Sequence, residues 1–281
     1  MAECDFYMKG QEPMTKKMDR FNSRRENSEL GNKPAILTYI STYGCRCMKP
    51  GKGIPLEVGA EGRNNYIFPL RDNTGNHISY ENEYYGDLTA LYWIWKNGEI
   101  ENYEDIAFRH YNKYLVISKK KACEFLRRNK NGWIVAKAGS NPPHNYVYEW
   151  NCFREIIKEK YHVFYKALLE LYDEADGSGC RCNSTNMFIT SVDQLNEYCS
   201  ILFEICKDLR DRVGNTDHSR SDQRYCAFMA ERFLSVYLRT YNLPRLEVRV
   251  CRGNIFLIGI RKMAKLIGVQ YRYKSSYNAY K

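Results

Sequence analysis

The stretch DNTGNHISYENEYYGDLTALYWIWKNG, residues 72–98, decides how the rest of the chain is read. Its first half is turn chemistry: Asp72, Asn73 and Gly75 favour tight turns, because Asx side chains bond their own backbone and glycine tolerates a positive φ. Its second half has helical spacing. Tyr84, Leu88, Leu91, Tyr92 and Trp95 recur every three or four residues and mark one apolar face, which predicts a helix over 82–97. Asn97-Gly98 supplies the stop. A polar loop thus runs into the N-terminus of an apolar helix, the end that attracts anions.

Working outward, apolar runs alternate with helical patterns. Residues 35–40 read as a first buried strand and 56–60 as a second, ending near Gly59, where a ligand or helix can approach the backbone closely. Residues 105–108 read as a third strand, which runs directly into Arg109, His110, Tyr111, Asn112, Lys113 and Tyr114. In an open α/β sheet ligands bind beyond the carboxyl ends of the strands, so this cationic and aromatic segment is a candidate site. A basic amphipathic helix is predicted over 118–129 with Ser118 as its N-cap. A strand at 133–136, two helical pieces over 147–175, a strand at 186–190 and a long helix after it follow. A last helix over about 223–241 carries Glu231-Arg232, and short strands are expected at 246–251 and 255–258. Alternation of this kind predicts a mostly parallel sheet flanked by helices.

The polar residues 1–32 read as a mobile arm, residues 33–260 as the folded domain, and 261–281 as a basic tail, either a peripheral contact with the inner membrane or a solvated C-terminus. The 281 residues are 44% hydrophobic and 14% aromatic, which excludes global disorder, and the net charge of +10 points to an anionic partner. No apolar run has the length of a membrane span, and nothing at the N-terminus resembles a signal peptide, so the expectation is a cytoplasmic protein with its 11 cysteines reduced. Cys45/Cys47 and Cys180/Cys182 are spaced by one residue, shorter than structural zinc prefers, and are read as loop thiols. A nucleic-acid module is a rival suggested by the charge and the 24 tyrosines, but the basic residues are dispersed and no zinc finger, RNP or helix-turn-helix pattern occurs.

Three pieces taken together, DNTGNHIS with LTALYWIWKN, the HYNKY segment, and NMFI followed by AERF, resemble a bacterial family, domain of unknown function 4422, of capsular-polysaccharide and lipopolysaccharide glycosyltransferases. The resemblance covers about residues 33–243. It implies a GT-A-like, Rossmann-type fold and transfer of a sugar, with galactose in either ring form foremost, from a nucleoside diphosphate to a glycan or lipid-linked glycan hydroxyl. Within the matched motifs the chain has Asn76 and Asp87 at acidic positions and Asn112 and Lys113 where the family has arginines. The expected donor contacts are Gly59, Asp72, Asn73, His110, Tyr111, Lys113 and Asn186, with Arg109 beside them; Asn186 serves equally well as a structural amide. Glu231 is the expected base, Arg232 its orienting partner or a diphosphate grip, and Asp87 the reserve base. No Asp-x-Asp pair stands at the strand end, so metal-independent donor binding is expected, with no cofactor and no nucleic acid partner. A non-catalytic scaffold in a polysaccharide assembly remains the alternative. The loop 72–79 is expected to face the strand 105–108 across a cleft.

Overall fold

The computed structural model describes residues 36–44, 53–140, 146–172, 181–218 and 223–252. The expected arm 1–32, the thiols Cys45, Cys47 and Cys180, the strand at 255–258 and the tail 261–281 lie outside the described residues.

A six-stranded sheet forms the centre, in the order β2-β1-β3-β8-β5-β9. These strands are β1 (Ile36–Thr42), β2 (Ile54–Glu57), β3 (Asp105–His110), β5 (Trp133–Ala136), β8 (Phe188–Ser191) and β9 (Arg245–Val248). All run parallel except β8, which is antiparallel to both of its neighbours, β3 and β5. Their composition explains their burial: β5 reads WIVA and β8 reads FITS, every residue buried, as strands covered on both faces must be. The α/β class expected from the alternation is therefore the observed one, a mostly parallel sheet flanked by helices.

Helices cover the two faces unequally. On one face lie α1 (Asn82–Tyr85), α2 (Leu88–Asn97), α4 (Val147–Lys160), α5 (Tyr165–Tyr172), α6 (Val192–Val213) and α7 (Tyr225–Thr240). They enclose an aromatic core in which Trp133, Phe188, Tyr198, Phe233 and Tyr237 meet ring to ring at 5.1–6.3 Å. The apolar period noted in α6 is fully used, with Val192, Leu195, Tyr198, Leu202, Ile205 and Leu209 all buried. The other face carries α3 (Lys119–Arg128) over a smaller cluster of Ala107, Ala122, Leu126, Ile134 and Ile189. Ser118 caps α3 as expected, its hydroxyl accepting from the Lys121 N–H. Two short ribbons complete the described fold: β4 (Lys113–Leu115) with β10 (Val250–Arg252), and β6 (Gly139–Ser140) with β7 (Arg181–Cys182).

The continuous helix expected over 82–97 is broken. Gly86 takes φ +54°, which ends α1, and α2 restarts at Leu88. Asn82 holds the break, its side-chain N–H donating to the Gly86 carbonyl at 2.7 Å and to Thr89 Oγ1 at 3.0 Å. The break sets Asp87 just ahead of the first turn of α2.

Candidate functional site

The parallel strands end at one edge of the sheet, and β3 delivers His110 there. Ile106 and Phe108 belong to the large core and Ala107 to the small one. By strand alternation His110 therefore points to the helical face and Arg109 to the face of α3. On the helical face His110 Nε2 lies 3.3 Å from Asp87 Oδ2, both side chains 16% exposed. Neither atom has a hydrogen-bond partner in the protein. Burial pushes the His110 pKa down, against the pull of Asp87, so the imidazole is neutral at neutral pH.

Lys113, just past the turn at Tyr111 and Asn112, faces the same cluster. Burial lowers its pKa and the Glu231 carboxylate raises it, while Arg252, Asp87 and Arg224 also act on it. Glu231 is the half-buried acid at the centre. Desolvation, then Asp87, raises its pKa above the ordinary 4.5, while Lys113, the Thr185 backbone N–H and Arg232 pull it down. Two carboxylates and a lysine thus share a half-buried space, and their environments push the acid up and the ammonium down, which is how a fold prepares groups for proton transfer and charge stabilisation.

Glu231 is also held by strained backbone. Thr185 has φ +86°, a conformation that costs a β-branched residue energy. It stands in a loop folded by two i to i+2 bonds, Ser184 N–H to the Cys182 carbonyl at 2.8 Å and Met187 N–H to the Thr185 carbonyl at 2.7 Å. Asn183 fixes this loop to α7 and β5, its backbone N–H donating to Ser235 Oγ and its side-chain N–H to the Ala136 carbonyl, both at 2.8 Å. Thr185 Oγ1 is buried beside the cluster without a hydrogen-bond partner.

Of the residues singled out in the sequence, Asp87, His110, Lys113 and Glu231 come together. Others are placed differently. Asp72 is fully buried, and its carboxylate accepts from Gly59 N–H at 2.8 Å, Ala60 N–H at 3.0 Å and Ser79 Oγ at 2.5 Å. Gly59 has φ +58°, and a Cβ there would lie 2.5 Å from Asn82 Cγ, so what approaches this glycine closely is the protein's own side chain. Asn73 is half-buried beside Asp72. The rest of that loop is fastened along α2, where Trp93 Nε1 donates to the Thr74 carbonyl at 2.9 Å and Asn97 Nδ2 to the Asn76 carbonyl at 2.7 Å. The stretch 72–98 therefore meets His110 through Asp87, while its loop braces β2 and α2.

Asn186 donates its amide to the Ala227 carbonyl at 3.3 Å, the structural of its two expected roles. Arg232 is 1% exposed and its Nη1 donates to the Phe228 carbonyl at 2.8 Å, so it reaches Glu231 by charge from within the core. Tyr111 donates its N–H to the Ser41 carbonyl at 2.9 Å, tying the turn after β3 to β1.

Sequence reasoning missed Arg224, Thr185 and a stack beyond β1 and β2. Arg224 precedes Glu231 by seven residues, two helical turns, and that spacing was a usable signal. In the stack the Arg63 guanidinium lies 4.5 Å from the Tyr43 ring and Arg71 lies 4.1 Å from that of Tyr66, with Tyr43 47% exposed. Nothing in the separate spacings of these residues announced it. No group of three or more His, Cys, Asp or Glu suited to a metal ion occurs among the described residues. A recess of about 310 Å³ lies apart from the cluster, between the first half of β1 and the end of α2, lined by Tyr39, Trp93, Asn97 and Glu99 among others.

No curated protein matches the chain. Among solved structures, the apo structure of WbbM, a bifunctional glycosyltransferase, matches with a TM-score of 0.65 and 20% identity. The match covers 79% of this chain and 46% of WbbM, so the chain spans about half the length of that protein. At that identity the likeness establishes the fold, and the GT-A-like class expected from the motifs agrees with it. The family model described as "Domain of unknown function (DUF4422)" matches residues 45–242, and the chain belongs to that family.

Proposed function

We propose that the protein is a glycosyltransferase that moves a hexose, galactose in pyranose or furanose form foremost, from a nucleoside diphosphate to a hydroxyl of a glycan or lipid-linked glycan. The setting is synthesis of capsular polysaccharide, exopolysaccharide or lipopolysaccharide at the cytoplasmic side of the inner membrane. The observation that carries the reading is the cluster of Glu231, Lys113, His110 and Asp87 at the carboxyl edge of the sheet. Glu231, its acidity weakened by burial, takes the proton of the acceptor hydroxyl. The acceptor oxygen bonds to the sugar carbon, and the bond from that carbon to the diphosphate oxygen breaks with its electrons on the leaving group. Lys113 and Arg224 neutralise that charge, with neutral His110, 3.3 Å from Asp87, as a further hydrogen-bond partner. The exposed ring of Tyr43 beside Arg63 offers a face for the nucleobase.

Side-chain cations carry the neutralisation in this reading, so donor binding is independent of a divalent metal. Calorimetric titration of uridine diphosphate, with and without manganese, tests it: equal affinity is expected, and a strict manganese requirement refutes it. Asn112, where the family has arginine, favours the second reading of a non-catalytic scaffold. Absence of any nucleoside diphosphate binding would decide for the scaffold.

A further inference from the structure

Charge is distributed unevenly over the two faces of the sheet. On the helical layer most surface cations are matched: Lys160 with Asp208 at 2.7 Å, Lys207 with Asp211 at 2.6 Å, Arg210 with Glu81 at 2.8 Å, Arg212 with Glu159 at 2.6 Å and Arg239 with Glu170 at 2.6 Å, while Lys96 and Lys158 lie over the rings of Trp95 and Tyr165. On α3 they are not. Lys119, Lys120, Lys121, Arg127, Arg128 and, just beyond the helix, Lys130 are all exposed, and none makes an ion pair among the described residues. Glu124 is the lone carboxylate on this helix.

Helix stability does not account for the arrangement. Arg127 and Arg128 sit in the last turn, where the helix dipole favours a positive charge. Lys119, Lys120 and Lys121 occupy the first turn, where the dipole opposes it, and that turn has no acidic residue. Three adjacent cations are thus held against both their mutual repulsion and the dipole. The buried side of α3, Ala122 and Leu126, is fully engaged with the sheet, so the cationic side faces outward over the whole helix. Val116, 44% exposed, leads into it.

We propose that this face of α3 is a docking surface for an anionic lipid bilayer, a role separate from the sugar-transfer reading. A convex helix bearing three lysines and two arginines, with Lys130 just past its end, matches a plane of phosphate headgroups, to which each cation adds without needing a shaped pocket. A single-stranded nucleic acid would want aromatic rings between the cations. The exposed aromatics Tyr43, Tyr80 and Tyr148 stand on other elements.

The test is co-sedimentation of the full chain with vesicles of equal parts phosphatidylglycerol and phosphatidylcholine, and with pure phosphatidylcholine, at about 0.15 M and about 1 M salt. The full chain is expected to bind the anionic vesicles at low salt only. The combined variant Lys119→Gln, Lys120→Gln, Lys121→Gln should lose about a hundredfold in partitioning, close to fivefold per cation, and Arg127→Gln with Arg128→Gln about twenty-five-fold. Both variants change exposed side chains, and melting temperatures no lower than that of the parent show that they fold. Undiminished partitioning of the first variant, equal binding to pure phosphatidylcholine, or tighter binding to a random single-stranded RNA than to the vesicles overturns the proposal.

Discussion

Replacing Asp72 separates a bracing role from a ligand role. Its carboxylate is fully buried and receives two backbone N–H groups and one hydroxyl, at 2.8, 3.0 and 2.5 Å. Asp72→Ala leaves those three donors without an acceptor. Stranding a buried donor costs about 1–3 kcal/mol, and water entering the gap recovers part of that, so a loss of about 3–5 kcal/mol is expected. That is a large share of the roughly 5–15 kcal/mol that holds a domain of ordinary stability. Asp72→Asn keeps one oxygen but turns an amide N–H toward a backbone N–H, and should cost about 2–3 kcal/mol. The assay is urea unfolding followed by tryptophan fluorescence, with the slope compared so that a midpoint shift is read as stability. If Asp72→Ala unfolds within about 1 kcal/mol of the parent, the carboxylate is not a brace, and selective loss of nucleotide binding in the same variant would return it to the site.

Glu231→Gln should lower kcat by about 10²–10⁴, the range for removing a general base, with KM for the donor little changed; initial rates over donor concentration read both. If the protein transfers sugar as proposed, kcat/KM of the parent should fall on the acid side with a limb above pH 4.5, because burial and Asp87 raise the Glu231 pKa and only its ionised form accepts a proton. The stability linkage has the same origin. A folded-state pKa raised above the unfolded value favours the folded chain at low pH, and that contribution is lost as pH rises through the folded value, so Glu231→Gln should flatten the pH dependence of Tm in that window. Thr185→Gly should raise stability by about 1 kcal/mol by removing the cost of φ +86°, read by the same urea titration. Gly59→Ala should cost about 2 kcal/mol or more, since alanine is strained at φ +58° and its Cβ would collide with Asn82.

The architecture was legible where burial follows a simple period. Strands such as WIVA and the apolar stripe of α6 stood out because one residue type repeats at the spacing of one element. The reversed direction of β8 was not legible: Phe188–Ser191 is buried on both sides, and a strand buried on both sides reads the same whichever way it runs. The break at Gly86 was hidden because the apolar spacing continues across it, from Tyr84 to Leu88. In the candidate cluster, His110 and Lys113 were picked from residue types just past a strand end, and Asp87 and Glu231 from the family's motifs. Asp72 and Asn186 were read as ligand contacts from the same kind of signal, although buried Asx side chains serve backbone groups just as well. Thr185 carried no signal at all, since a positive φ at threonine runs against its own preference.

The lone reversed strand has a consequence for how Glu231 is supported. Because β8 runs backwards, the segment that precedes it, rather than the one that follows, arrives at the edge where the parallel strands end. Its far end passes into α6 with no intervening linker, Ser191 being both the last strand residue and the helix cap. At that junction the chain turns back over the sheet, so that Tyr198 of α6 meets the Phe188 ring of β8 at 6.2 Å. The hydrogen bond on Glu231 is thus anchored next to a strand paired on both of its edges and covered by its own following helix, while His110 and Lys113 flank a turn.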